Sequence, residues 1–142
     1  MLFDLDNPVV QLCAAGMEVD GEPLKALALF EQAWASRRDD FDASVAAHYV
    51  ARHQATPQAS LEWNERALQH AEAVTDDRAA SLMPSLCLNL AESYRKSARI
   101  TEAEQLARRG LLAVDRLPAD DGYAQFVCAG LDRLLQVLQA AR

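Results

Sequence analysis

LNLAESYRKSARITEAEQLARRGL, running from Leu88 to Leu111, is the stretch whose pattern decides the fold. Its apolar and small residues recur at helical spacing on both sides of a polar break. Leu90, Ala91 and Tyr94 fall on one face of a first helix, Ala98 lies in the break, and Ala103, Ala107 and Gly110 fall on one face of a second. Small side chains at that spacing let a partner helix come close, while leucine and tyrosine fill the space beside the contact. Thr101-Glu102-Ala103-Glu104 reads as a capping box and predicts that the second helix starts at Thr101.

The same small-residue set occurs twice upstream, as Ala26, Phe30, Ala33 and as Ser60, Asn64, Ala67. Ser60 follows Ala26 by 34 residues and Ala103 follows Ser60 by 43, so nine extra residues separate the later two sets. Start and stop signals divide the whole chain into seven helices. Asn7 caps the first, with Pro8 in its opening turn and its end near Glu18. Pro23 opens a second through about Arg37, and Asp40 caps a third from Phe41 to His53. Thr56, followed by Pro57, starts a fourth that ends near Val74. Thr75-Asp76-Asp77 starts a longer fifth segment to Lys96, in which Pro84 starts a helix, sets off a short leading turn or, as preferred here, makes a bend. The sixth ends before Pro118, and Asp120 or Asp121 opens the last. No run alternates with period two, so the expected class is all-α with no sheet.

A helix-turn-helix period of 34 residues is the mark of tetratricopeptide repeats, and the chain resembles that family. The first repeat fits through Ala14, Gly21, Ala26, Phe30 and Ala33. The middle one departs from the pattern, with His48 at a usually small site and Asn64 in place of an aromatic. The resemblance implies one α-solenoid domain over residues 1–142, with three antiparallel helix pairs at about 7–40, 41–74 and 84–117 and a capping helix at about 121–140. It also implies a non-enzymatic module that binds a peptide or partner segment in a concave groove lined by first helices. The groove positions map to Gln11, Ala15 and Glu18, then Asp42, Val45, Tyr49, Arg52 and His53, then Ser85, Leu88, Asn89, Glu92, Arg95 and Lys96. Members that grip chaperone C-termini use lysines, asparagines and an arginine. Gln11, Ala15, Ala46, Ser85 and Asn89 stand at those places, so chaperone-tail binding is not expected.

Composition sets bounds on partners. The 142 residues are 51% hydrophobic and 25% charged, enough to bury a core without metals or disulfides. A net charge of −7 and the lack of a basic stripe argue against nucleic acid and anionic membranes as partners. MLFDLDNP has no cationic start and is not read as a secretion signal, and Cys13, Cys87 and Cys128 form no CxxC pair. These features fit reduced cysteines in a cytoplasmic protein.

No enzyme signature is present. The glycines at 16, 21, 110, 122 and 130 form neither a GxGxxG nor a P-loop, and there is no GxSxG, so no cofactor and no catalytic residue is expected. A small hydrolase or transferase is the remote alternative. His48 and His53 lie about 140° apart on a helix, which does not converge on a metal as an i,i+4 pair does, so no metal site is expected. The acidic pairs Asp39-Asp40, Asp76-Asp77 and Asp120-Asp121 stand at helix starts, where caps and the helix dipole account for them. Surface support is expected from Glu62 with Arg66, Glu92 with Lys96, and Glu104 with Arg108.

The last helix carries a second interface signal. Tyr123, Val127, Gly130, Leu131, Leu134 and Leu138 form one face, while Phe126, Leu135 and Val137 lie outside it. An arc wider than one packing surface points either to a homodimer or partner contact or to a helix tucked deeper, with all of these side chains buried within one chain, and the alternative function is a self-associating subunit.

Overall fold

The computed structural model describes residues 4–142; residues 1–3, which open the MLFDLDNP stretch, lie outside the described residues. Seven α-helices form among the described residues: α1 (Pro8–Glu18), α2 (Pro23–Ala35), α3 (Asp40–Val50), α4 (Pro57–Ala73), α5 (Met83–Lys96), α6 (Ile100–Asp115) and α7 (Gly122–Ala140). No strand occurs among the described residues, so the fold is all-α. The helices gather into two units, residues 4–75 with α1–α4 and residues 76–142 with α5–α7. The boundary falls in the nine-residue excess between the second and third small-residue sets.

Side-chain caps start four of the helices. Asn7 Oδ1 accepts from the amides of Val9 and Val10, with Pro8 in the first turn where its missing N–H matters least. Thr56 accepts from Ala59 and Asp121 from Tyr123 and Ala124. The third helix is capped by Asp39, not Asp40, through a 2.8 Å bond from the Asp42 amide. It is also shorter than expected. A 3₁₀ turn, Ala51–His53, replaces its last residues.

Two other boundaries differ from the sequence reading. Pro84 sits in the first turn of α5, behind a separate 3₁₀ turn at Asp77–Ser81, so it opens a helix and bends none. A first turn has no use for the missing N–H, whereas a mid-helix proline would break a bond. The capping box does not form either: α6 begins at Ile100 with no side-chain cap, and Thr101 lies inside the helix. The preceding turn dictates this start. The Arg99 amide donates to Tyr94 O at 2.9 Å and the Ala98 amide to Arg95 O at 3.0 Å, closing α5 with a Schellman motif. That motif needs a left-handed residue, and Ala98 supplies it at φ 60°. A non-glycine residue there is strained by about 1 kcal/mol. Ala98→Gly is therefore expected to raise stability by up to about 1 kcal/mol, read as a higher urea midpoint at unchanged slope.

In the first unit α1 packs on α2 and α3 on α4, while α3 also touches α1 and α2. Phe41 through Ala47 are all buried, so α3 is the central helix of its unit. Its run of Ala43, Ala46 and Ala47 admits three neighbours. The repeated small-residue sets lie at helix contacts: Ala26, Phe30, Ala33, Ala67, Ala103 and Ala107 are fully buried. Ser60 Oγ donates to Ala51 O, tying α4 to the end of α3. In the second unit α5 packs on α6, and α7 packs on both.

Of the expected surface pairs, Glu104–Arg108 forms at 3.0 Å. Glu92 pairs with Arg95 instead of Lys96, one residue nearer on the same face. Arg66 lies over the Trp63 ring, 4.4 Å from its centroid, while Glu62 accepts from Gln58.

Candidate protein-interaction site

The expected groove residues divide between the two units. In the first, Gln11 and Glu18 are exposed on α1, and the Gln11 amide donates to Leu5 O at 2.9 Å. Asp42 and Val45 do not face a groove. Both are buried because α3 is enclosed on three sides, and Asp42 accepts from Asn7 Nδ2 at 2.8 Å and from the Arg38 amide and Nε. Burial raises the Asp42 carboxyl, and the bonds from Arg38 and Asn7 outweigh it, leaving the group below the usual carboxylate range.

Tyr49, Arg52 and His53 come together, but as an internal brace. Arg52 grips Asp20 with two bonds, Nε to Oδ1 at 2.9 Å and Nη2 to Oδ2 at 2.7 Å, and His53 Nε2 stands 2.6 Å from Asp20 Oδ1. The Asp20 carboxyl is held well below its usual range by Arg52 first and His53 second. Tyr49 lies against Phe30 with ring centroids 5.4 Å apart, and His53 stacks on the same ring. The brace fastens the α1–α2 turn to the end of α3 and engages the charges that the groove reading assigned to a partner. His48 packs edge-on against Tyr49, and burial, helped by Arg52, pushes its imidazole down to about 4, so it is neutral at pH 7.

In the second unit the structure joins two sets of residues that the sequence reading kept apart. Asn89, Glu92 and Arg95 of α5, expected in the groove, face Val137 of α7, expected in an oligomer contact. With Leu88, Gly130, Arg133 and Leu134 they line a cleft of about 670 Å³ between the two helices. Gly130 makes the close approach possible, since a Cβ there would meet Leu88 Cδ2 at 3.1 Å. Leucine and glycine therefore form an apolar floor, with Val137, Arg133 and the Glu92–Arg95 ion pair at the rim. Lys96 is exposed at the end of α5. Ser85 is not available to a ligand: it is buried, and its hydroxyl bonds to the Tyr123 hydroxyl of α7.

Phe126 and Val137 are exposed as expected, at 71% and 52% of their surface. Leu135 is a correction, being only 8% exposed. Because α7 packs on α5 and on α6, its buried arc spans Ala124, Val127, Leu131, Leu134, Leu135 and Leu138. Two neighbours widen the arc until Leu135 falls inside it. Gly130 and Arg133 were not expected in a site; their signal was the stripe they share with Phe126 and Val137 at four-, three- and four-residue steps.

The chain matches no family model, no curated protein and no solved structure.

Elsewhere, burial pushes the Cys13 thiol up to about 12, and burial with Asp132 and Asp115 raises Cys128, so both remain protonated thiols at neutral pH. Among the described residues, no group of three or more His, Cys, Asp and Glu could hold a metal ion. No helix among them is long and apolar enough to cross a membrane.

Proposed function

We propose that this chain is a non-enzymatic protein-interaction module that receives a segment of a partner protein in the α5–α7 cleft. The observation that carries this reading is the cleft itself, with its apolar floor, charged rim and the exposed Val137 at its edge. Removing such a patch from water is the main driving force for association, and the rim charges select among partners. The likeness to tetratricopeptide repeats supports the same class of function. Self-association uses the same surface and is the second reading, favoured by the exposure of Phe126 and Val137. Three free cysteines agree with a reducing, cytoplasmic setting.

Val137→Glu places a charge on the exposed edge of the cleft, where the fold loses little. Affinity purification from the native source is expected to recover partners with the native chain and to lose them with Val137→Glu, at unchanged circular dichroism. Recovery of the same partners by both chains overturns the cleft as the docking site.

A further inference from the structure

Arg133 sets the chemistry that the α5–α7 cleft asks of its occupant. Its side chain folds back over the bare backbone at Gly130, where Nη2 stands 3.9 Å from the place a Cβ would take, beside Leu88. Among the described residues no carboxylate pairs with it. The one carboxylate of the cleft lining, Glu92, bonds to Arg95 through both oxygens. Asp132 is the chain neighbour of Arg133, but it lines a separate pocket between α6 and α7 and accepts from the Cys128 thiol. Three and four residues away, where a helix brings side chains alongside, stand Ala129, Gly130, Gln136 and Val137, none of them acidic. The lining thus holds unmatched positive charge, on a chain whose net charge is −7.

We propose that the occupant is an acidic amphipathic helix of a partner protein, which brings an aspartate or glutamate to Arg133 and lays apolar side chains on Leu88 and Leu134. The proposal rests on the reading of the α5–α7 cleft as a docking surface and gives its partner a chemistry. A guanidinium presents a planar fork of N–H donors that matches the two oxygens of a carboxylate. Leu88 and the Gly130 backbone keep water from one side of that fork, which strengthens a pair formed there.

The walls of the cleft favour a helix over an extended strand. Leu88, Glu92 and Arg95 follow one another at four- and three-residue steps on α5, and Gly130, Arg133 and Val137 at three- and four-residue steps on α7. Each wall therefore repeats at the helical pitch of about 5.4 Å, and a third helix laid along the trough meets both at its own pitch. Helical walls also bond their backbone groups internally. A strand pressed onto the apolar floor would leave its own amides without partners, whereas a helix satisfies them itself.

The test selects peptides and then reverses the charge. A phage-displayed library of helix-forming peptides is panned on the full native chain, and the binders are titrated by fluorescence anisotropy. The expected binders carry Asp or Glu three or four residues from a leucine or phenylalanine, and gain helicity on binding. Arg133 is exposed, so Arg133→Glu is expected to leave circular dichroism unchanged while weakening a selected peptide at least tenfold. Exchanging the acid of that peptide for lysine is expected to restore binding to the variant. Binders without an acid, binding indifferent to Arg133→Glu, failure of the exchange, or binding without gain of helicity each overturn the proposal. If such binders are still lost with Val137→Glu, the cleft stands as a docking site and only the acidic helix falls. If no peptide is selected, or the binders ignore both substitutions, the cleft falls with it.

Discussion

Asp42→Ala is expected to lower the unfolding free energy by about 2–4 kcal/mol, read as a fall in urea midpoint with unchanged slope. The carboxylate is fully buried and has three donors: Asn7 Nδ2 at 2.8 Å, the Arg38 amide at 3.0 Å and Arg38 Nε at 2.9 Å. Asn7 is buried as well, and its Oδ1 caps α1 while its amide holds Asp42. One side chain thereby links the start of α1, the α2–α3 turn and α3. Alanine leaves the Asn7 amide unpaired in the core and loosens that cap too. Arg38 is mostly exposed and recovers water, which keeps the effect below that of a fully enclosed ion pair. The acid limb follows from the same bonds. The folded carboxyl titrates below the ordinary 3.8, so the unfolded chain binds more protons in between. The contribution is complete above about pH 4–5 and is lost as the pH falls through the lower folded value, and Asp42→Ala is expected to lack that limb.

Gly16→Ala is expected to cost about 2–3 kcal/mol even though alanine is the better helix former by about 1 kcal/mol. A Cβ at Gly16 would stand 2.3 Å from Phe30 Cε1 and 2.7 Å from Cδ1. Phe30 is fully buried between Gly16 and the Tyr49 and His53 rings, so it has no free direction to retreat. The melting temperature is expected to fall by about 5–10 °C at this chain length. Phe30→Leu made together with Gly16→Ala tests the cause: if the ring is the obstacle, the double substitution loses clearly less than the two single losses added. Additive losses remove the explanation.

Helix number and class were legible in the sequence because they rest on local chemistry. Asn7-Pro8, Thr56-Pro57 and Asp121 carry their caps within two or three residues of the helix they start, and the three small-residue sets mark helix contacts at a spacing that only a helix turns to one side. Where a boundary depended on a turn's backbone, the local reading failed. The Schellman motif at Ala98 moved the start of α6 off Thr101, and a separate 3₁₀ turn made Pro84 an opening residue.

The site was legible only in pieces. Asn89, Glu92, Arg95, Phe126 and Val137 were each singled out, but as parts of two different surfaces. Side-chain periodicity gives the direction in which a residue points from its own helix and nothing about what stands opposite. Tertiary packing supplied the rest. Three neighbours around α3 buried Asp42 and Val45, Asp20 engaged Arg52 and His53, and contact with both α5 and α6 buried Leu135. The same contact leaves Phe126 and Val137 in water, because one helix cannot bury its whole circumference against two neighbours on the same side.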